Sequence, residues 1–78
     1  MLVLRNIKRK GNVIEANYYP EASDAKGFMS LSILDGEVIN HVWPEGHEFS
    51  PSAAHAKKAL MKISTLENLP KEKTVTWY

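Results

Sequence analysis

The sequence predicts a single α+β domain of order ββββαβ, an antiparallel sheet with one helix packed across one face. Three observations predict it. The first half alternates apolar and polar residues in four short runs divided by turn residues. From Pro51 to about Glu67, apolar side chains recur at helical steps. After Pro70 the chain closes on Thr74, Val75, Thr76, Trp77 and Tyr78, β-branched and aromatic residues that suit a strand. With 78 residues there is room for one core, so the domain is residues 1–78.

Leu2 to Arg9 forms the first strand, ended by Gly11-Asn12, which tolerate the positive φ of a two-residue hairpin. Val13 to Tyr19 follows, with Ile14, Ala16 and Tyr18 on one face and Glu15 and Asn17 on the other; Pro20 closes it. In Phe28 to Leu34, Met29, Leu31 and Ile33 point one way and Ser30 and Ser32 the other. Asp35-Gly36 is a strong hairpin signal leading to Glu37–Trp43, stopped by Pro44.

Ser50 is placed to cap the helix and Pro51 to occupy its first position, where a missing N–H costs nothing. Ala56, Leu60 and Ile63 make the buried stripe, widened by Ala53, Ala59 and Leu66. Asn68 and Pro70 end the helix, and Leu69 can pack back on its last turn. Following the hairpins up and down, the fifth strand runs antiparallel to the first and beside it, in order 5-1-2-3-4. Pairing with the fourth strand through a right-handed crossover is the alternative.

Composition bounds the function. The chain is 44% hydrophobic and 24% charged, an ordinary globular balance. It has no cysteine, so no disulfide or thiolate-bound metal can support so small a core, and a reducing compartment is favoured. Arg5 interrupts the apolar start too early for a signal peptide, and no run approaches a membrane span. The expectation is a complete, soluble cytoplasmic protein with no membrane partner.

The net charge of +1 conceals a segregation. Residues 1–19 set four cations against Glu15, and residues 50–78 set five lysines against Glu67 and Glu72. Between them lie six acids against Lys26. The topology sends the loops 21–26 and 44–49 to one end. Glu21, Asp24, Glu45, Glu48 and His47 gather there near the positive end of the helix dipole, as solvated loop acids.

Four readings compete. His41, His47 and His55 with Glu45 and Glu48 are residue types that zinc accepts, but no second histidine follows His47-Glu48 at helical spacing, so no metal is assigned. Catalysis lacks a nucleophile: there is no cysteine, and Ser30, Ser32, Ser50 and Ser52 have structural explanations. Gly11, Gly27, Gly36 and Gly46 stand apart, so no phosphate-cradling loop and no cofactor site are assigned.

Nucleic-acid binding is the runner-up. Arg5, Lys8, Arg9 and Lys10 form a basic strand and turn, and Tyr18, Tyr19, Trp77 and Tyr78 offer stacking faces. A pI near 8.0 falls short of a strongly basic domain.

Protein interaction leads. Val3, Ile7, Val13, Tyr19, Phe28 and Leu34 alternate opposite to the core residues, so the helix-free face is not cleanly polar. Val3, Ile7, Val13, Tyr19 and Trp77 are the candidate surface, facing an unidentified protein partner or a second copy, with the edge around Thr76 and Trp77 as another contact. A curled sheet that buries both faces within one chain is the competing explanation. The expected function is thus a small non-catalytic interaction or accessory domain, with a homodimer as the default assembly.

Overall fold

A computed structural model describes residues 1–21 and 23–76. The elements follow as β1 (Leu2–Lys10), β2 (Val13–Pro20), β3 (Gly27–Ser32), β4 (Val38–Val42), α1 (Ser52–Ile63) and β5 (Glu72–Val75). They build one five-stranded antiparallel sheet in order β4-β3-β2-β1-β5, with α1 across one face. The expected class and strand order both hold, and β5 lies beside β1. β5 begins two residues earlier than expected; Trp77 and Tyr78, assigned to it from sequence, lie outside the described residues.

The core lies between the sheet and α1. Leu2, Leu4, Ile14, Ala16, Tyr18, Met29 and Leu31 are buried from the sheet, and Ala56, Ala59, Leu60 and Ile63 from the helix. Period-two and helical spacing produce those two sets directly.

β1 departs from simple alternation. Its pairing with β2 slips by one residue between Arg5 and Lys8, and Asn6 takes φ 55°. This is a β-bulge with an asparagine in the left-handed region, which asparagine tolerates better than most residues. The Asn6 amide donates to Asn17 Oδ1 at 3.0 Å, and Asn17 Nδ2 donates to the Gly27 carbonyl at 3.1 Å, so two side chains tie the bulge across three strands. One extra residue reverses every face beyond it. Ile7, expected on the helix-free face, is therefore buried in the core, and Arg9 points to the helix side.

Both ends of α1 differ from expectation. Pro51 holds the cap position with helical dihedrals, and no side chain caps the helix. The Ser50 hydroxyl is buried without a hydrogen-bond partner. Had it capped, Ser50→Ala would cost about 1 kcal/mol. Instead, removal of an unpaired buried hydroxyl is expected to leave stability unchanged or raise it by up to about 1 kcal/mol, read from urea unfolding. A loss approaching 1 kcal/mol would restore the capping role.

At the other end the helix stops at Ile63, short of Glu67. Ser64 Oγ donates to the Met61 carbonyl at 2.6 Å and Thr65 Oγ1 to that of Lys62 at 3.1 Å. Arg9 then reaches over from β1 and donates to the carbonyls of Ser64, Leu66 and Glu67 at 2.8, 2.7 and 3.3 Å. These carbonyls belong to the turn just past the helix, so the cation meets their hydrogen-bonding need close to the negative end of the dipole.

Arg9→Met keeps the stem and removes all three bonds. It is expected to cost about 1–2 kcal/mol, since the site is only partly buried. Arg9→Lys should recover little, because one ammonium cannot span three carbonyls. Urea unfolding of the pair, with amide exchange at residues 64–67, measures this.

The β3–β4 connection also differs from the two-residue hairpin implied by Asp35-Gly36. β3 ends at Ser32, and residues 33–37 form the loop. The Ser32 amide bonds to the Glu37 carbonyl and the Gly36 amide to the Ser32 carbonyl, which closes the loop, while the Ile33 amide donates to the Asn12 carbonyl at 2.7 Å and carries the β2–β3 register one step further. Leu34 is left 77% exposed at the loop tip.

Candidate functional site

Edges, rather than faces, carry the unexplained apolar surface. Seven large apolar residues are exposed among those described, and five of them, Leu34, Val38, Ile39, Val42 and Phe49, lie on β4 or flank it. β4 is an outer strand. Its residues, Val38-Ile39-Asn40-His41-Val42, include no lysine, proline or carboxylate, the usual guards of an open edge. A bulge against β3, where the register slips at Ile39, is the one such device it has.

The far end of β4 is held by a run of rings. The Tyr18 hydroxyl and His41 Nε2 pair at 2.5 Å, and their rings stack at 5.7 Å between centroids. Trp43 meets His41 edge-on at 4.4 Å, and Phe49 leans on Trp43 at 5.2 Å. Burial pushes the Tyr18 phenol up to about 12 and lowers the His41 imidazole from its usual value. Both groups are thereby kept neutral near pH 7, as a buried pair requires. A fully buried phenol already bound to an imidazole acts as a positioning group, fixing β4 against β2 across β3.

Phe49 stands at the open end of this run, 87% exposed and with φ 60°. A bulky residue in the left-handed region is an outlier that its surroundings must enforce. The ring thus continues the apolar edge of β4 past the end of the strand.

The helix-free face is more polar than the alternation suggested. Val3 is only 7% exposed, set in register between Tyr19 and Thr74, and Val13 and Tyr19 are half-buried. Arg5 lies 5.0 Å over the Tyr19 ring and 3.3 Å from the Glu72 carboxylate. Of the candidate interaction residues, Val3, Val13 and Tyr19 share this face, Ile7 is in the core, and Trp77 lies outside the described residues.

The four basic residues of the first hairpin divide in the same way. The bulge turns Lys8 and Lys10 onto the helix-free face with Arg5, which is engaged by Glu72 and Tyr19. Arg9 is on the opposite side, clamped to the end of α1. Tyr18, offered as a stacking surface, is fully buried.

At the acidic end Gly27, just after the first loop, lies close to Pro44, which opens the second: a Cβ on Gly27 would meet the Pro44 ring. There Glu48 accepts from the Gly46 amide at 2.9 Å and His41 is taken by Tyr18. Among the described residues no three histidine or carboxylate side chains come together as a metal would need. No helix among them is long and apolar enough to cross a membrane.

The β4 edge is hard to see in the sequence because its signal is spread out. A charge-free run beside Asp35, Glu37, Glu45 and Glu48 is visible there, but edge position is a property of the whole strand order. Comparison with protein-family models, with curated proteins and with solved structures finds no match to this chain.

Proposed function

We propose that this chain is a non-catalytic protein-interaction domain that works through the β4 edge, and that a second copy is its occupant. The observation that carries the proposal is the concentration of exposed apolar residues along one unguarded outer strand. Antiparallel pairing of two β4 strands about a twofold axis at Asn40 brings the exposed Val38, Ile39 and Val42 of each copy to one seam. Apolar side chains along such a seam stabilise the added ladder. No like charges oppose each other within the strand, and the flanking acids fall outside it.

The polar side chains support a binding role over a catalytic one, since His41 and Glu48 beside the edge are committed to internal bonds. Arg5 and Arg9 are similarly committed, which weighs against a nucleic-acid surface on the first hairpin. A cysteine-free chain of this kind suits the reducing cytoplasm.

Sedimentation velocity over a range of concentrations tests the proposal. A concentration-dependent dimer is expected, lost in Ile39→Lys, which adds the guard that the edge lacks without touching the core. A monomer persisting at roughly millimolar concentration, or a dimer untouched by Ile39→Lys, overturns it.

A further inference from the structure

The opposite edge of the sheet carries a second surface of different chemistry. Between α1 and β5 runs a groove of about 380 Å³, lined by His55, Lys58 and Lys62 from the helix and Lys73, Thr74 and Thr76 from the strand side. Lys58 and Lys62 lie one turn apart on the helix, and Lys73 faces the same side because it pairs with the core residue Leu4. No carboxylate lines the groove among the described residues. Glu72, the nearest acid in sequence, pairs with Arg5, which sits opposite it in β1.

Three lysines facing one another across a groove repel, so the arrangement is stabilised by an anion between them. β5 is also the outer strand on this side, so alternate backbone N–H and C=O groups face outward along the groove.

We propose that this groove binds an extended acidic segment of a partner protein, which adds to the sheet as a sixth strand beside β5. Main-chain bonds to the open edge supply the register, and side chains supply the choice of sequence. Residues at alternate positions of the added strand point to the helix side, about 6.7 Å apart. Lys58 and Lys62 are separated by about 6 Å along the helix axis. Two carboxylates at positions i and i+2 of the segment therefore match two ammonium groups, with Lys73 flanking them from the strand. A single-stranded nucleic acid would match the charge, but the described groove residues provide no aromatic face for its bases. This site is independent of the β4 edge, and its variants leave that edge untouched.

Fluorescence anisotropy of a labelled peptide with alternating glutamate and valine, together with amide exchange of the full chain, tests the proposal. Binding is expected to weaken with salt. It should fall at least tenfold in Lys58→Glu/Lys62→Glu, and far less in the control Lys8→Glu/Lys57→Glu, which makes the same charge change outside the groove. Amides of β5 should gain exchange protection in the complex while those of β4 do not. Absence of binding, equal loss in both double variants, or binding without protection of β5 would overturn the proposal. So would an oligothymidylate of equal charge that binds more tightly at the same residues.

Discussion

Leu60→Ala is expected to lower the stability of the domain by about 2–5 kcal/mol. Leu60 is fully buried and is the largest fully buried side chain that α1 contributes to the core. Its truncation removes apolar contact with the sheet and leaves a cavity that neighbouring rigid strands cannot close. At about 0.05–0.15 kcal/mol per residue, a chain of this length has a total stability of only several kcal/mol. The loss therefore shifts a substantial fraction of the protein to the unfolded state at ambient temperature. Urea unfolding followed by circular dichroism measures it. Leu66→Ala is the internal comparison: sequence periodicity put both residues on the same stripe, but Leu66 lies beyond the helix end and is exposed. Its replacement should change stability by no more than about 0.5 kcal/mol. Equal effects at the two positions would mean that the helix continues as the periodicity implied.

That contrast shows what kind of information the chain spelled out locally. Ile14, Ala16 and Tyr18, or Ala56, Leu60 and Ile63, declare a face by spacing alone, and every one of them is buried. The strand order followed from turn positions and the direction that each connection gives the next element. The features that were not legible all depend on a partner distant in sequence. The helix ends at Ile63 because Arg9, on another strand, takes the carbonyls that follow. The bulge at Asn6 is hidden because the residues around it are apolar and basic in both registers, so alternation reads equally well with or without the extra residue. Its consequence is large: it turns Ile7 and Arg9 to the helix side and splits a basic cluster that looks continuous in sequence.

The candidate surfaces follow the same division. Faces of strands can be read from alternation, and that signal pointed to Val3, Val13 and Tyr19, and also to Ile7, which the bulge turns into the core instead. Edges cannot, because β4 and β5 become outer strands only when the sheet is assembled. Once they do, their compositions separate them. β4 is charge-free and apolar, whereas β5 carries Glu72 and Lys73 and faces two lysines of α1. The two open edges thus present unlike chemistry, which is why a self-pairing role is assigned to one and an acidic strand to the other.

Gly27→Ala is the second substitution with a large expected effect, about 3 kcal/mol of lost stability, at the upper end of the range for overpacked cores. The residue opens β3, and its φ is not positive, so a need for left-handed backbone is not the reason for glycine. Close approach is. A Cβ there would lie 2.7 Å from Pro44 Cγ and 2.7 and 2.8 Å from Cε1 and Cζ of Tyr18. Neither neighbour is the free end of a flexible chain: Pro44 is a buried ring, and Tyr18 is a buried ring whose hydroxyl is tied to His41. Relief requires the Tyr18 ring or the strand to shift, which pulls the phenol from the imidazole and loosens β4. The change should therefore appear both in urea unfolding and in the resonances of the His41 ring. Pro44→Ala removes Cγ, so Gly27→Ala should cost less in that background, with coupling in the roughly 0.5–3 kcal/mol range typical of touching residues. Part of the cost should survive, because the contact with Tyr18 remains. A Gly27→Ala protein within about 0.5 kcal/mol of the parent, the scatter of ordinary surface substitutions, would show that Tyr18 and Pro44 can move apart freely, and that the ring pair does not fix β4 in place.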